Sequence, residues 1–95
     1  MNQQQQRLNA IRVAINEQVE KTAREKGYNG SESLASYVNS GVPTWASEAQ
    51  VFITWRDQVW SEVLTMLSEV EAGDKPMPSM SQALASVPPI DWPEV

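Results

Sequence analysis

Ninety-five residues with a net charge of −5, no cysteine and no histidine make one small acidic domain. The missing thiols and imidazoles exclude disulfides, the usual zinc or copper sites, and any catalysis that needs a histidine base. The acidic balance argues against a nucleic-acid binder, which needs a basic face to release counterions.

The chain opens on MNQQQQR, without the apolar core of a signal peptide; its polar tract, 1–6, reads as a frayed helix start. From about 7 to 26 the sequence predicts a helix. Leu8, Ile11, Ile15, Val19 and Thr22 recur at spacings of three and four and share one face. Glu17 with Lys21, and Glu20 with Arg24, stand four apart in the favourable order. Gly27 supplies the left-handed residue that ends the helix. The stripe is too short for a coiled coil and points to packing inside the domain.

Asn29-Gly30 is a turn dipeptide with no alternating strands beside it. Ser31 then caps a short helix of about 31–39, with Leu34, Tyr37 and Val38 on its buried side. Tyr28 and Tyr37 are placed to close the edge of the core with their hydroxyls wet.

The second long helix, about 44–72, carries three of the four tryptophans and the only phenylalanine. Thr44 is its expected N-cap, Glu48 lies near the positive end of its dipole, and Gly73 ends it. Such a helix is roughly 43 Å long, long for so small a domain. One stripe runs Trp45, Ala49, Phe52, Val59, Val63, Met66 or Leu67, and Val70; Val51, Ile53, Trp55, Trp60 and Leu64 fall beside or opposite it. A helix apolar on two sides is covered on two sides. The first helix covers one. The other needs the short helix, the C-terminal segment or a partner.

Ser79 and Gln82 form a capping-box pattern that opens a short helix of about 79–86. Pro88-Pro89 then forces an extended arm, 87–95, with Ile90, Trp92 and Val95 as spaced apolar anchors. Two readings of the arm stay open: Trp92 folds back over the long helix, or it docks on a neighbouring molecule. The expected fold class is all-α: two long helices, two short ones and a Pro-rich C-terminal arm in a single domain, 1–95.

No run of apolar residues approaches the ~20 that span a membrane, so no membrane partner is expected. No facing carboxylate pair, phosphate loop or calcium loop occurs, and neither an enzyme nor a bound cofactor or metal is expected. Charge is uneven. Residues 1–26 carry five basic and three acidic side chains, whereas residues 57–95 carry seven acids and only Lys75. Either the two halves attract each other, or the acidic half meets a basic partner. In Trp55-Arg56-Asp57 the arginine can stack on a ring or fork onto a carboxylate, as local glue or as an interface hot spot. The candidate partner-binding residues are Trp45, Trp55, Arg56, Trp60, Ile90 and Trp92.

Six short features occur in order: Ala23-Arg24 to Gly27-Tyr28, Ser33-Leu34 to Ser36-Tyr37, Glu48-Ala49-Gln50, Trp55-Arg56-Asp57 to Val59-Trp60, Glu69-Val70 to Ala72-Gly73, and Pro89 to Trp92-Pro93. In order and spacing this set resembles a family of small tail or tail-fibre-associated proteins of bacteriophages and prophages. The resemblance implies a stand-alone member made in the host cytoplasm and placed in the virion tail. It implies tail or tail-fibre proteins as partners, with self-association as a further expectation. It assigns no functional residues. The expected role is a non-catalytic structural or accessory tail protein. The alternatives are a fibre-assembly chaperone absent from the mature virion, and a small acidic effector that binds a host protein.

Overall fold

The polar start of the chain is helical and capped. In the computed structural model, which describes residues 2–94, α1 runs Gln3–Glu25, and the Asn2 side chain accepts a hydrogen bond from the Gln5 N–H at 2.8 Å. The glutamine tract is therefore a helix turn and not a frayed end. Its physical reason is the Asn2 cap, which satisfies an orphan donor, together with Gln4, whose amide donates to the Val70 carbonyl at 3.3 Å. Met1 lies outside the described residues.

Order along the chain is α1, α2 (Ser31–Ala35), a 3-10 turn (Ser36–Asn39), α3 (Pro43–Glu71) and α4 (Met80–Ala85). No strand occurs among the described residues, and the all-α class expected from the sequence is the one observed. Both long helices end as their glycines require. Gly27 and Gly73 have φ of 101° and 82°. At each, the two residues after the cap donate back to the last turn: Gly27 to Arg24 and Tyr28 to Ala23, Gly73 to Val70 and Asp74 to Glu69.

Helix starts differ from the sequence reading in two places. Thr44 does not cap α3. Pro43 occupies the first helical position, where its missing N–H costs nothing and its fixed φ suits the turn, and Val42 precedes it without a side-chain cap. Ser31 does not cap α2 either. Its own N–H donates to the Glu20 carboxylate at 3.2 and 3.3 Å, so a side chain of α1 satisfies the start of α2. Glu20 is thereby drawn away from Arg24, which pairs with Glu17, while Lys21 pairs with Glu25. The stretch expected as one helix over 31–39 divides into α2 and the 3-10 turn. By contrast the capping box at Ser79 and Gln82 forms in both directions.

α1 and α3 are antiparallel. Gln4 meets Val70 at one end, and Lys26 approaches Glu48 to 3.3 Å at the other. Leu8, Ile11, Ile15, Val19 and Ala23 of α1 face Ala49, Phe52, Trp55, Val59, Val63, Leu67 and Val70 of α3 in one buried cluster. Two segments close this hairpin. Residues 28–42 lie beside Asn16 and Glu20 of α1 and bury Leu34 completely. Residues 76–94 run back along the opposite flank of α1, past Ala10 and Ile11 and then Gln18, Thr22 and Glu25. The product is a rod of 47 × 20 × 20 Å. Its radius of gyration, 15.2 Å, exceeds the roughly 12 Å of a compact chain of this length.

Candidate protein-binding surface

The four tryptophans divide into two groups. Trp55 is buried, 7% exposed, and its indole N–H donates to the Pro88 carbonyl at 2.8 Å. Trp92 is half-buried; its ring lies parallel to Phe52 at 6.5 Å between centroids and 7° between planes. Phe52 in turn tilts against Trp55 at 5.8 Å. The Lys26 ammonium sits 5.2 Å from the Trp92 ring centre, a cation–π contact. Of the two readings of the arm, the structure has the one in which Trp92 folds back on its own chain. Trp55 and Trp92 are thus occupied within the molecule, and Ile90 sits half-buried between them along the arm. Val95, expected as a third anchor, lies outside the described residues.

Trp45 is placed differently. It stands in the first turn of α3 with 45% of its surface exposed, held on one edge by Tyr37 at 5.3 Å and 65°. Tyr37 leans on Tyr28 at 5.6 Å. The three rings form a ladder from the core edge outward, so Trp45 is fixed in orientation yet open to contact. Trp60 is half-buried against the core. Leu64, one turn further along α3, is 52% exposed. Arg56 stacks on neither neighbouring tryptophan; both Nε and an Nη bond one oxygen of Asp57 at 3.1 Å. Adjacent residues on a helix point apart, so this pair bends along the surface and leaves Trp55 free to face inward. Of the six candidates, the structure brings Trp55, Ile90 and Trp92 together and leaves Trp45, Arg56 and Trp60 apart from them.

Spacing alone places Glu48 only near a helix end. In the structure it is 7% exposed, accepts from the Tyr28 hydroxyl at 2.8 Å and pairs with Lys26. Lys26 therefore joins Glu48 to Trp92. The Tyr28 phenol is pushed up from the ordinary 10.0 to about 12, first by burial, then by the hydrogen bond and the negative charge of Glu48, with a smaller effect of Tyr37. Helical spacing could not reveal this centre, because Tyr28 and Lys26 sit across the hairpin from Glu48. Among the described residues, the attraction expected between the basic and acidic halves takes form as an ion pair of Arg12 with Glu71 at 3.7 Å.

Among the described residues no group of three or more acidic side chains is arranged to hold a metal ion. None of their buried side-chain nitrogen or oxygen atoms lacks a partner. No helix among them is long and apolar enough to cross a membrane. What the arrangement offers chemically is contact: an exposed, oriented indole at one end of the rod and apolar side chains further along the same helix. Comparison with known protein families, with curated proteins and with solved structures finds no match to this chain.

Proposed function

We propose that this chain is a non-catalytic structural or accessory protein of a phage tail that binds tail or tail-fibre subunits through the exposed part of α3. The observation that carries the reading is Trp45. An indole 45% exposed, braced by Tyr37 and set at the end of the longest helix, is the kind of rigid amphipathic ring that dominates interface energetics. Leu64 adds a second exposed apolar contact on the same helix. The tail setting is supported by the ordered set of residues from Ala23 to Pro93 that resembles the phage tail proteins.

Mass spectrometry of purified virions tests the setting: the protein is expected at a fixed ratio to other tail proteins. Its absence from virions, with retention in infected-cell lysates, removes the structural role and leaves the assembly chaperone. Trp45→Ala is expected to keep the fold and to abolish incorporation. A host protein captured with affinity that falls steeply in salt would point instead to the effector reading, through the acidic half.

A further inference from the structure

The C-terminal arm is seated like a ligand. Residues alternate along it: Pro88, Ile90 and Trp92 turn inward and are half-buried, while Pro89 and Asp91 are exposed. Its place on the body is fixed by three side-chain contacts: the Trp55 indole N–H on the Pro88 carbonyl, the Phe52 ring against Trp92, and Lys26 over the Trp92 ring. No backbone–backbone hydrogen bond joins residues 88–94 to the helices. The groups that make these three contacts, Phe52 and Trp55 of α3 and Lys26 at the end of α1, all precede the arm, and α4 adds Leu84 to the wall. The groove therefore stands built whether or not the occupying arm is covalently continuous with it.

We propose that this groove is a receptor for an extended Pro-Pro-Ile-Asp-Trp segment, and that its second occupant, besides the chain's own arm, is the arm of another copy of this chain. The chemistry of the site selects such a segment. Two prolines hold it extended before it docks, which lowers the ordering cost. A carbonyl just before the second proline meets the indole N–H of Trp55, and a ring four residues beyond that carbonyl lies parallel to Phe52 and under the Lys26 ammonium.

Each copy carries both the groove and the segment. Two copies that exchange arms keep the same contacts at both sites and close on a two-fold axis, with no new surface required. The exchange pivots at Ser86–Val87, where α4 ends and the extended path begins. In dilute solution the tethered arm holds the advantage of effective concentration; where copies are held side by side, exchange competes. This inference does not depend on the phage-tail reading.

The test uses the full chain and a fluorescent peptide of residues 86–94. Trp92→Ala weakens the resident arm and leaves the groove intact. Peptide is expected to bind Trp92→Ala at least about tenfold more tightly than it binds the unaltered chain, whose own arm competes. Ile90→Ala loosens the arm with less risk to the fold and should give a smaller gain in the same direction. A peptide carrying alanine in place of Trp92 should not bind either variant. Deleting Ser86 and Val87 strains the closed arm and is expected to move the chain from monomer to dimer in light scattering; adding Trp92→Ala to that deletion should restore the monomer. Equal peptide binding by the unaltered chain and both arm variants overturns the proposal, as does a hinge-shortened chain that stays monomeric at every concentration.

Discussion

Two unlike covers close the same helical hairpin. Residues 28–42 are short, largely helical and tied down by polar groups: Glu20 on the Ser31 N–H, and the Tyr28 hydroxyl on Glu48. Residues 76–94 are longer, extended at their end, and tied down by rings, with one indole hydrogen bond to Pro88. The first cover is local in sequence, leaving α1 at Gly27 and entering α3 at Pro43, and its directed hydrogen bonds hold in place a single wholly buried side chain, Leu34. The second must travel back along the rod, and apolar contact of an aromatic arm tolerates small shifts that hydrogen bonds would not. One side of α3 is thus closed by a helical cover with directed polar ties, the other by an extended arm held mainly through its rings.

The largest expected effect tests the ring-held side. Trp55→Ala removes a buried ring and the hydrogen bond to Pro88, and should lower unfolding stability by ~3–5 kcal/mol, read from the urea midpoint. If the loss is below ~1 kcal/mol, the arm side is not part of the cooperative core. Leu34→Ala tests the other cover; full burial predicts ~2–4 kcal/mol in the same assay. A smaller change, about 2 kcal/mol, is expected from Trp92→Ala, because that ring is only half-buried. It should be accompanied by lower backbone order parameters by NMR in 87–94 and not in 28–42.

Tyr28→Phe sharpens the polar side. It should cost ~1 kcal/mol near neutral pH, and it should also change the alkaline response. The folded chain holds the Tyr28 proton more tightly than the unfolded chain, with a phenol at about 12 against the ordinary 10.0. Its contribution to stability is therefore complete below pH 10 and is lost as the pH rises through about 12. Phenolate absorbance in a Tyr37→Phe background should show the late midpoint, and Tyr28→Phe should remove this part of the alkaline destabilisation. The smallest effect belongs to Trp45→Ala, within ~0.5 kcal/mol in thermal unfolding, since nearly half of that ring is in solvent. A large loss there would mean that the aromatic ladder is a structural third cover.

Much of this architecture is legible in the residues. The stripe Leu8, Ile11, Ile15, Val19 and Thr22 is buried at every position. Along α3, Ala49, Phe52, Val59, Val63, Leu67 and Val70 are buried as the spacing requires, and Leu67, not Met66, takes the inner place. Glycine caps and the capping box are legible because their cause is local: a positive φ, or a side chain three residues away. Trp45 shows where periodicity stops. It continues the α3 stripe in spacing, yet it stands at the end of the hairpin, where Tyr37 leans on one edge and nearly half of the ring is left open.

The polar partners were not legible for a related reason. Glu20 has a competent partner at Arg24 by spacing, but the free N–H at the start of α2 claims it. Glu48 reads as a surface acid until Tyr28 and Lys26 are brought to it from across the hairpin. Both choices are made by tertiary placement, and helical spacing reports faces without neighbours. For the candidate site, the sequence separated aromatic from plain surface but could not say which tryptophans the chain would use on itself.

The antiparallel hairpin also decides where a chain attached to this one would emerge. Gln4 lies against Val70 at the far end of α3, whereas Trp92 lies against Lys26 at the far end of α1. The N-terminal and C-terminal segments thus leave toward opposite poles of a 47 Å rod. Anything tethered at both ends would be held apart by roughly 27 Å, the rise along α3 from Phe52, beside Trp92, to Val70, beside Gln4. A pull between them would load the aromatic arm along its axis, in shear, where Pro88 and Trp92 resist together instead of peeling one contact at a time.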